Sequence, residues 1–527
     1  MRTMKTKSIL FLSLLISGFS ISQPVNVNIS TNPLPDTEPF IAVNPVNPNN
    51  LIAGWMHVNL NLKISINTKT STDGGLTWGN LYSFPHVSST FTSADVSIVF
   101  NSAGQAHISF IDYKLTLDSG FVRTAKSLDN GITWSNLVSV CSINDAPDKP
   151  IDRPWIECDK SSGPYTGRLY IVSKSYFAAA PPQKVWLSIS SDSGSTWTPI
   201  RQLDDSIPCD LLTNIMGTPT VGADGALYVA YMSWHTALNP FPRVICTKSI
   251  DGGINFTPYV IAIINGASGM NDSLYQGSYS LAANPAVPGN IIFQSTDNRN
   301  GDPDILELNS MDGGITWSFT PVRVNDDPVS NGIGQDMSWA AFSPNGTYAV
   351  AWRDRRNSGN TTDTADTEIF TAISTNGGLS FSPNYNLSSA PSPFINIQKG
   401  NDFIGVCLNN TSLFTDWCDL RTSNHEIFSN SELQLQIIPV QEISDNATSV
   451  QLFPNPASSS TTITINDKND SEWNFEVFDV SGKSVFQKMI YSQQETLNLN
   501  LSSGMYFYKV KNASTTISSG ELIVQGK

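Results

Sequence analysis

At 527 residues the chain exceeds the roughly 250–300 residues that one hydrophobic core sustains, so several domains or a repeated unit are required. Charged residues make up only 14 % and aromatic residues 10 %, with Ser, Thr, Asn and Gly abundant, which is the usage of short strands joined by polar turns and points to an all-β chain. The net charge of −15, with no Lys/Arg run to offset it, argues against nucleic acid and anionic membrane surfaces as partners.

In chain order, Arg2, Lys5 and Lys7 precede the apolar run Ile9 to Phe19 and the small residues Ser20 and Ser22. This is the layout of a secretory signal peptide over 1–22, cleaved just before Gln23. The run falls short of the ~20 residues of a bilayer span, and no later segment is long and apolar enough, so no transmembrane segment is expected in the mature protein.

Next comes an internal repeat. Ser71 to Trp78, Ser127 to Trp134, Ser190 to Trp197 and Ser310 to Trp317 match S-x-D-x-G-x-T-W in full, and Ser249 to Phe256 and Ser374 to Phe381 are degraded copies. The Asp carboxylates (Asp73, Asp129, Asp192, Asp251, Asp312) can accept backbone N–H groups across a tight turn, Gly supplies a positive φ, and the last aromatic packs beneath. Equivalent copies cannot all stand at one asymmetric active site, so these Asp residues read as structural. Around each copy four strands can be laid out. Their second strands are LIAGWM, AHISFI, LYIVSK, LYVAYM, IIFQST, YAVAWR and SLFTDW, which makes seven modules, the seventh (about Asn401 to Ile438) lacking the motif. The motif resembles the BNR repeat, or Asp-box, of sialidase-type propellers. That resemblance implies a β-propeller over 35–438, seven blades being favoured and six the alternative, and radial repetition removes the need for one oversized core. Six cysteines, Cys141, Cys158, Cys209, Cys246, Cys407 and Cys418, permit disulfides in an exported chain; Cys407 with Cys418 is the favoured pair, and the pairing as a whole stays open.

From about 446 to 527 the pattern changes to a small β-sandwich of alternating strands. Phe453 to Pro456 (FPNP), Asp479 to Lys483 (DVSGK) and Ser503 to Val510 (SGMYFYKV) resemble, in order, the C-terminal sorting domain of type IX secretion substrates. This implies the type IX secretion machinery as a partner and a secreted or outer-membrane cell-surface location.

Chemistry is expected on the face opposite the repeated turns. The ends of the second strands align His57, Asp112, Ser175, Ser233, Asp297, Asp354 and Asp419, and the entries to the first strands carry Glu38, Asp95, Asp152 with Arg153, Asp336 and Asp402. Blades five to seven share D-x-R (Asp297/Arg299, Asp354/Arg356, Asp419/Arg421), each with an acid at the next strand (Asp304, Glu368, Glu426), and an ion pair renewed in each blade reads as a loop clamp. Candidate catalytic residues are Asp95, Asp152, Asp354, Asp402 and Tyr113; candidate substrate-binding residues are Arg153, Arg353, Arg421, His57, His235, Trp55 and Trp234, with Trp55, Trp234 and Trp339 read as exposed stacking platforms. The sialidase resemblance implies a glycoside hydrolase acting on extracellular glycans or glycoproteins, yet no R-I-P precedes the first turn and the first blade has no Arg. A non-catalytic glycan- or protein-binding propeller (adhesin or receptor) and a polysaccharide lyase are the alternatives. No phosphate loop, H-E-x-x-H or G-x-S-x-G occurs, and the five His are dispersed, so no cofactor and no zinc are expected; calcium is conceivable where carboxylates crowd the channel, without an EF-hand loop to support it.

Overall fold

The computed structural model describes residues 25–176, 184–203, 216–233, 243–263, 279–362, 364–395, 403–431, 449–466, 472–479, 483–512 and 515–525. The expected signal peptide lies outside them, as do Trp234, His235, Asp402 and Cys209. Contacts divide the chain into two units, 1–435 and 436–527.

The first unit is built from seven four-stranded antiparallel sheets. Six run in sequence order from their innermost strands Asp36–Val43, Thr92–Phe100, Asp152–Cys158, Thr218–Val221, Tyr279–Ala283 and Gln335–Phe342. In the seventh, Gly405–Leu408, Leu413–Asp419 and Glu426–Asn430 come from the end of the unit and the fourth, outer strand is Val27–Asn28 from its beginning. Each innermost strand packs against that of the next sheet, and the seventh against the first, so the sheets form a closed ring, a seven-bladed propeller. The closing strand pairs Val27 with Ser429 and Asn28 with Phe428, and Asn26 locks it by donating to Leu387 O (2.7 Å) and accepting from Ser389 N (2.7 Å). Two ladder residues carry no alternation to read, so the closing strand leaves no mark in the sequence pattern.

The second strands follow near-continuous apolar runs because both faces of a blade are buried against neighbours. At the repeated turn, Asp73 Oδ1 accepts from Thr77 N (2.9 Å) and Ser71 Oγ (2.8 Å), and Ser71 Oγ accepts from Gly75 N (2.8 Å). The same bonds recur at Asp129, Asp192, Asp251 and Asp312, and Asn376 takes the role in the sixth copy. Gly75 has φ 87°, and a Cβ there would lie 3.0 Å from Ser431 Cβ, so glycine is required on both counts.

On the propeller axis, Phe40, Trp155, Trp339 and Phe403, from blades 1, 3, 6 and 7, touch one another with ring centroids 5.0–6.4 Å apart. Rings from such distant blades meet only across the channel, so an aromatic plug fills it.

The second unit pairs a three-stranded sheet (Ser449–Phe453, Ser460–Asn466, Gln494–Asn498) with a four-stranded one (Ser484–Ile490, Trp473–Phe478, Gly504–Asn512, Thr515–Val524). Ile463, Ile465, Trp473, Phe475, Val477, Val510 and Leu522 fill the sandwich between them.

The five described cysteines, Cys141, Cys158, Cys246, Cys407 and Cys418, are free and buried, which corrects the favoured Cys407–Cys418 pair. The two do lie on adjacent strands, but register sets Cys407 opposite Phe414 and Cys418 opposite Ile427, and Cys418 Sγ donates to Asp36 O at 3.3 Å.

Candidate functional site

The hairpins between first and second strands share the face of the repeated turns, as the Gly74 N to Asn49 O bond shows, so the starts of the innermost strands open on the opposite face. There the innermost strands of blades 1, 2, 3 and 6 each carry a β-bulge, between Thr37 and Phe40, Ala94 and Ser97, Asp152 and Trp155, and Asp336 and Trp339. The bulged residue in each is left-handed: Glu38 (φ 50°), Asp95 (54°), Arg153 (48°) and Met337 (51°). A bulge re-aims a side chain, and a non-glycine residue in this region costs about 1–2 kcal/mol. Strain of this kind concentrates at functional sites.

The bulges of blades 2 and 3 bring three predicted residues together. Asp95, 9 % exposed, is hydrogen-bonded through its carboxyl to Asp152, and its Oδ2 accepts from Arg153 N at 3.2 Å. Burial and then the neighbouring Asp152 charge raise the Asp95 carboxyl to about 7. Burial opposes ionisation of Asp152 too, but the Lys174 ammonium, 2.8 Å away and equally buried, together with Arg153 outweighs it and holds that carboxyl below its ordinary value. Two adjacent carboxyl groups are thereby driven apart, one keeping its proton near neutrality and one ionised, the pattern that separates an acid from a base. Sequence reading missed Lys174; it stands directly opposite Asp152 in the ladder, a register partner that needs the bulge to be located.

Tyr113 and Tyr176 stand beside this pair, ring centroids 5.8 Å apart. Burial, then Tyr176, pushes the Tyr113 hydroxyl far up, so it is a phenol and not an activated nucleophile. Arg153 is half-buried, its guanidinium stacked 4.8 Å over Phe403 of the plug and its Nη1 3.4 Å from Met216 Sδ.

Other predicted residues lie elsewhere or are fully engaged. Asp354 Oδ1 accepts from Arg356 N (2.8 Å), and Oδ2 from Trp352 Nε1 (2.8 Å) and Arg356 Nε (3.0 Å). Arg421 repeats this on Asp419, with Trp417 Nε1 donating at 2.9 Å, and also bonds Asn26 and Ser389. Arg299 does so on Asp297. Each arginine closes on the aspartate two residues before it; of the acids of the next strand, Glu368 faces Asn357 and Asn386, Glu426 accepts from Thr422, and Asp304 pairs with Arg323 (2.7 Å) beside Asn300 and Asn325. Arg353, 3 % exposed, grips Asp336 through Nε and Nη2 (both 2.6 Å), with Arg355 on the same carboxylate (2.9 Å), and is not presented to the mouth. Trp55 is buried at 1 % exposure with its indole donating to Asp36 (2.9 Å), which corrects its reading as an exposed platform, and Trp339 packs in the plug. His57 shares that carboxylate (2.8 Å). Among the described residues no group of three or more His, Cys, Asp or Glu is placed to hold a metal ion.

Residues 451–525 match the family described as a secretion system C-terminal sorting domain. The tail is a type IX sorting domain. It marks the chain for export through type IX secretion, to the cell surface or beyond it. No curated protein matches the chain. Among solved structures it is similar to a protein of unknown function from Dyadobacter fermentans (13 % identity, 66 % of this chain and 96 % of that one, TM-score 0.41), to an α-L-arabinanase of Penicillium chrysogenum complexed with arabinobiose (13 %, 77 % and 96 %, 0.43) and to a sialidase of Trypanosoma rangeli in complex with the inhibitor DANA (12 %, 93 % and 84 %, 0.38).

Proposed function

We propose that the exported propeller is a glycoside hydrolase acting on extracellular glycans at the face opposite the repeated turns, with Asp95 as its general acid. The observation that supports it is the Asp95–Asp152 pair at a left-handed bulge, where Lys174 keeps Asp152 ionised and the proton stays on Asp95 up to about pH 7. A carboxylic acid protonated near neutrality is what departure of a sugar oxygen requires. Arg153, the left-handed residue of the blade 3 bulge beside Asp152 and half-buried over Phe403 of the plug, would orient the substrate through its hydroxyl or acidic groups.

A glycan-binding propeller without turnover is the second reading. It is favoured by the engagement of Arg353 by Asp336 and of Arg421 by Asp419, which takes both out of a carboxylate clamp. Incubating the full chain and Asp95→Asn with a panel of neutral and acidic polysaccharides separates the two. The hydrolase reading expects new reducing ends from the wild type and a loss of about 10²–10⁴-fold in kcat for Asp95→Asn at unchanged melting temperature. Glycan retention with no new reducing ends from the wild type would leave the binding reading standing.

A further inference from the structure

A glycosidic bond needs a second carboxylate, and Asp152 cannot be it. Its carboxyl is hydrogen-bonded to Asp95, whereas the two groups that flank a glycosidic bond stand roughly 5–5.5 Å apart in retaining enzymes and about 6.5–9.5 Å apart in inverting ones. Asp354 is closed off by three hydrogen bonds and Tyr113 is an unactivated phenol.

The bulge offers another carboxylate. In blades 1, 2 and 3 the residue directly after the first partner of the register shift is Glu38, Asp95 and Arg153, each with the same left-handed φ within a few degrees. The innermost strands of these blades are direct neighbours, blade 1 beside 2 and 2 beside 3. Blade 6 has the same bulge with Met337, so the backbone does not demand a charged residue there. Glycine would relieve the strain at all four positions, and Glu and Arg gain nothing from the αL region that Asn or Asp gain. Three successive blades thus hold an acid, an acid and a cation in the same strained conformation at the starts of their innermost strands, two positions before the plug residues Phe40 and Trp155 on the blade 1 and blade 3 strands. Glu38 is 7 % exposed, as deeply set as Asp95.

From this placement we infer that Glu38 is the second carboxylate of the reaction. The inference rests on the hydrolase reading of Asp95. In the step it serves, the oxygen of a water bonds to the anomeric carbon while that water gives a proton to Glu38. The glycosidic C–O bond breaks, its electron pair stays on the departing oxygen, and Asp95 protonates that oxygen. No oxidant, metal or further reactant is needed.

Leaving-group dependence tests it. With 4-nitrophenyl glycosides the departing group needs no proton, so Asp95→Asn should cut them far better than it cuts polysaccharide. Glu38→Gln should lose about 10²–10⁴-fold in kcat on both substrate types with KM within a few-fold and the melting temperature unchanged. Azide or formate should restore turnover to Glu38→Ala. Glu38→Gln within a few-fold of the wild type, with Asp95→Asn impaired on polysaccharide, overturns the role of Glu38 and leaves that of Asp95. A wild type that cuts no substrate of either type, or an Asp95→Asn variant with undiminished polysaccharide cleavage, overturns the hydrolase reading and this inference with it.

Discussion

Blades 5 to 7 and blades 1 to 3 put charged residues on the same face of one propeller and use them in opposite ways. In blades 5 to 7 each aspartate at the end of the second strand closes on an arginine two residues later, and in blades 6 and 7 a tryptophan indole joins it. Every acceptor is filled and the conformation is an ordinary one. In blades 1 to 3 the charged residues sit on strained bulges, and burial, with the Asp152 charge beside it, keeps a proton on Asp95 to about pH 7. Repetition with full satisfaction marks structure, and asymmetry with strain marks chemistry.

That contrast can be broken from either side. Replacing Asp354 by Ala leaves the buried Trp352 indole N–H without its acceptor, while Arg356 keeps Asp326 and Asn384, and should cost about 1–3 kcal/mol of stability in chemical denaturation. Activity per folded molecule should change little; a dead but stable variant would move the chemistry to blade 6. The repeated turns should be gentler. Asp192 sits on the surface, its carboxyl held at about 2 by hydrogen bonds from Thr196 and Ser190, and Asp192→Ala should cost about 1 kcal/mol with turnover intact. A loss of turnover there would put function on the turn face.

The same contrast explains what could be read in advance. The seven modules were legible because the second strands are continuous apolar runs and the turn copies fix their spacing. The sandwich tail was legible through FPNP, DVSGK and SGMYFYKV. The D-x-R residues were recognisable as clamps because they recur, and in each the arginine closes on the aspartate of its own motif. Trp55 was misplaced because a lone aromatic at the end of a strand reads alike whether it faces solvent or, as here, a neighbouring blade. The plug, the bulges and Lys174 were out of reach for one reason. They depend on register and on contacts between blades more than 100 residues apart, and no local pattern encodes a one-residue slip in a ladder.

Everything turns on the proton of Asp95. If the folded protein holds it to about pH 7 while the unfolded chain releases it near 3.8, folding is favoured by this group at low pH, that contribution fades as pH rises from 3.8 to 7, and general-acid activity falls away above 7. Carbon-13 NMR titration of the Asp95 carboxyl, assigned by comparison with Asp95→Asn, measures it directly. A midpoint near 7 is the predicted result, and a midpoint near 4 would contradict the account.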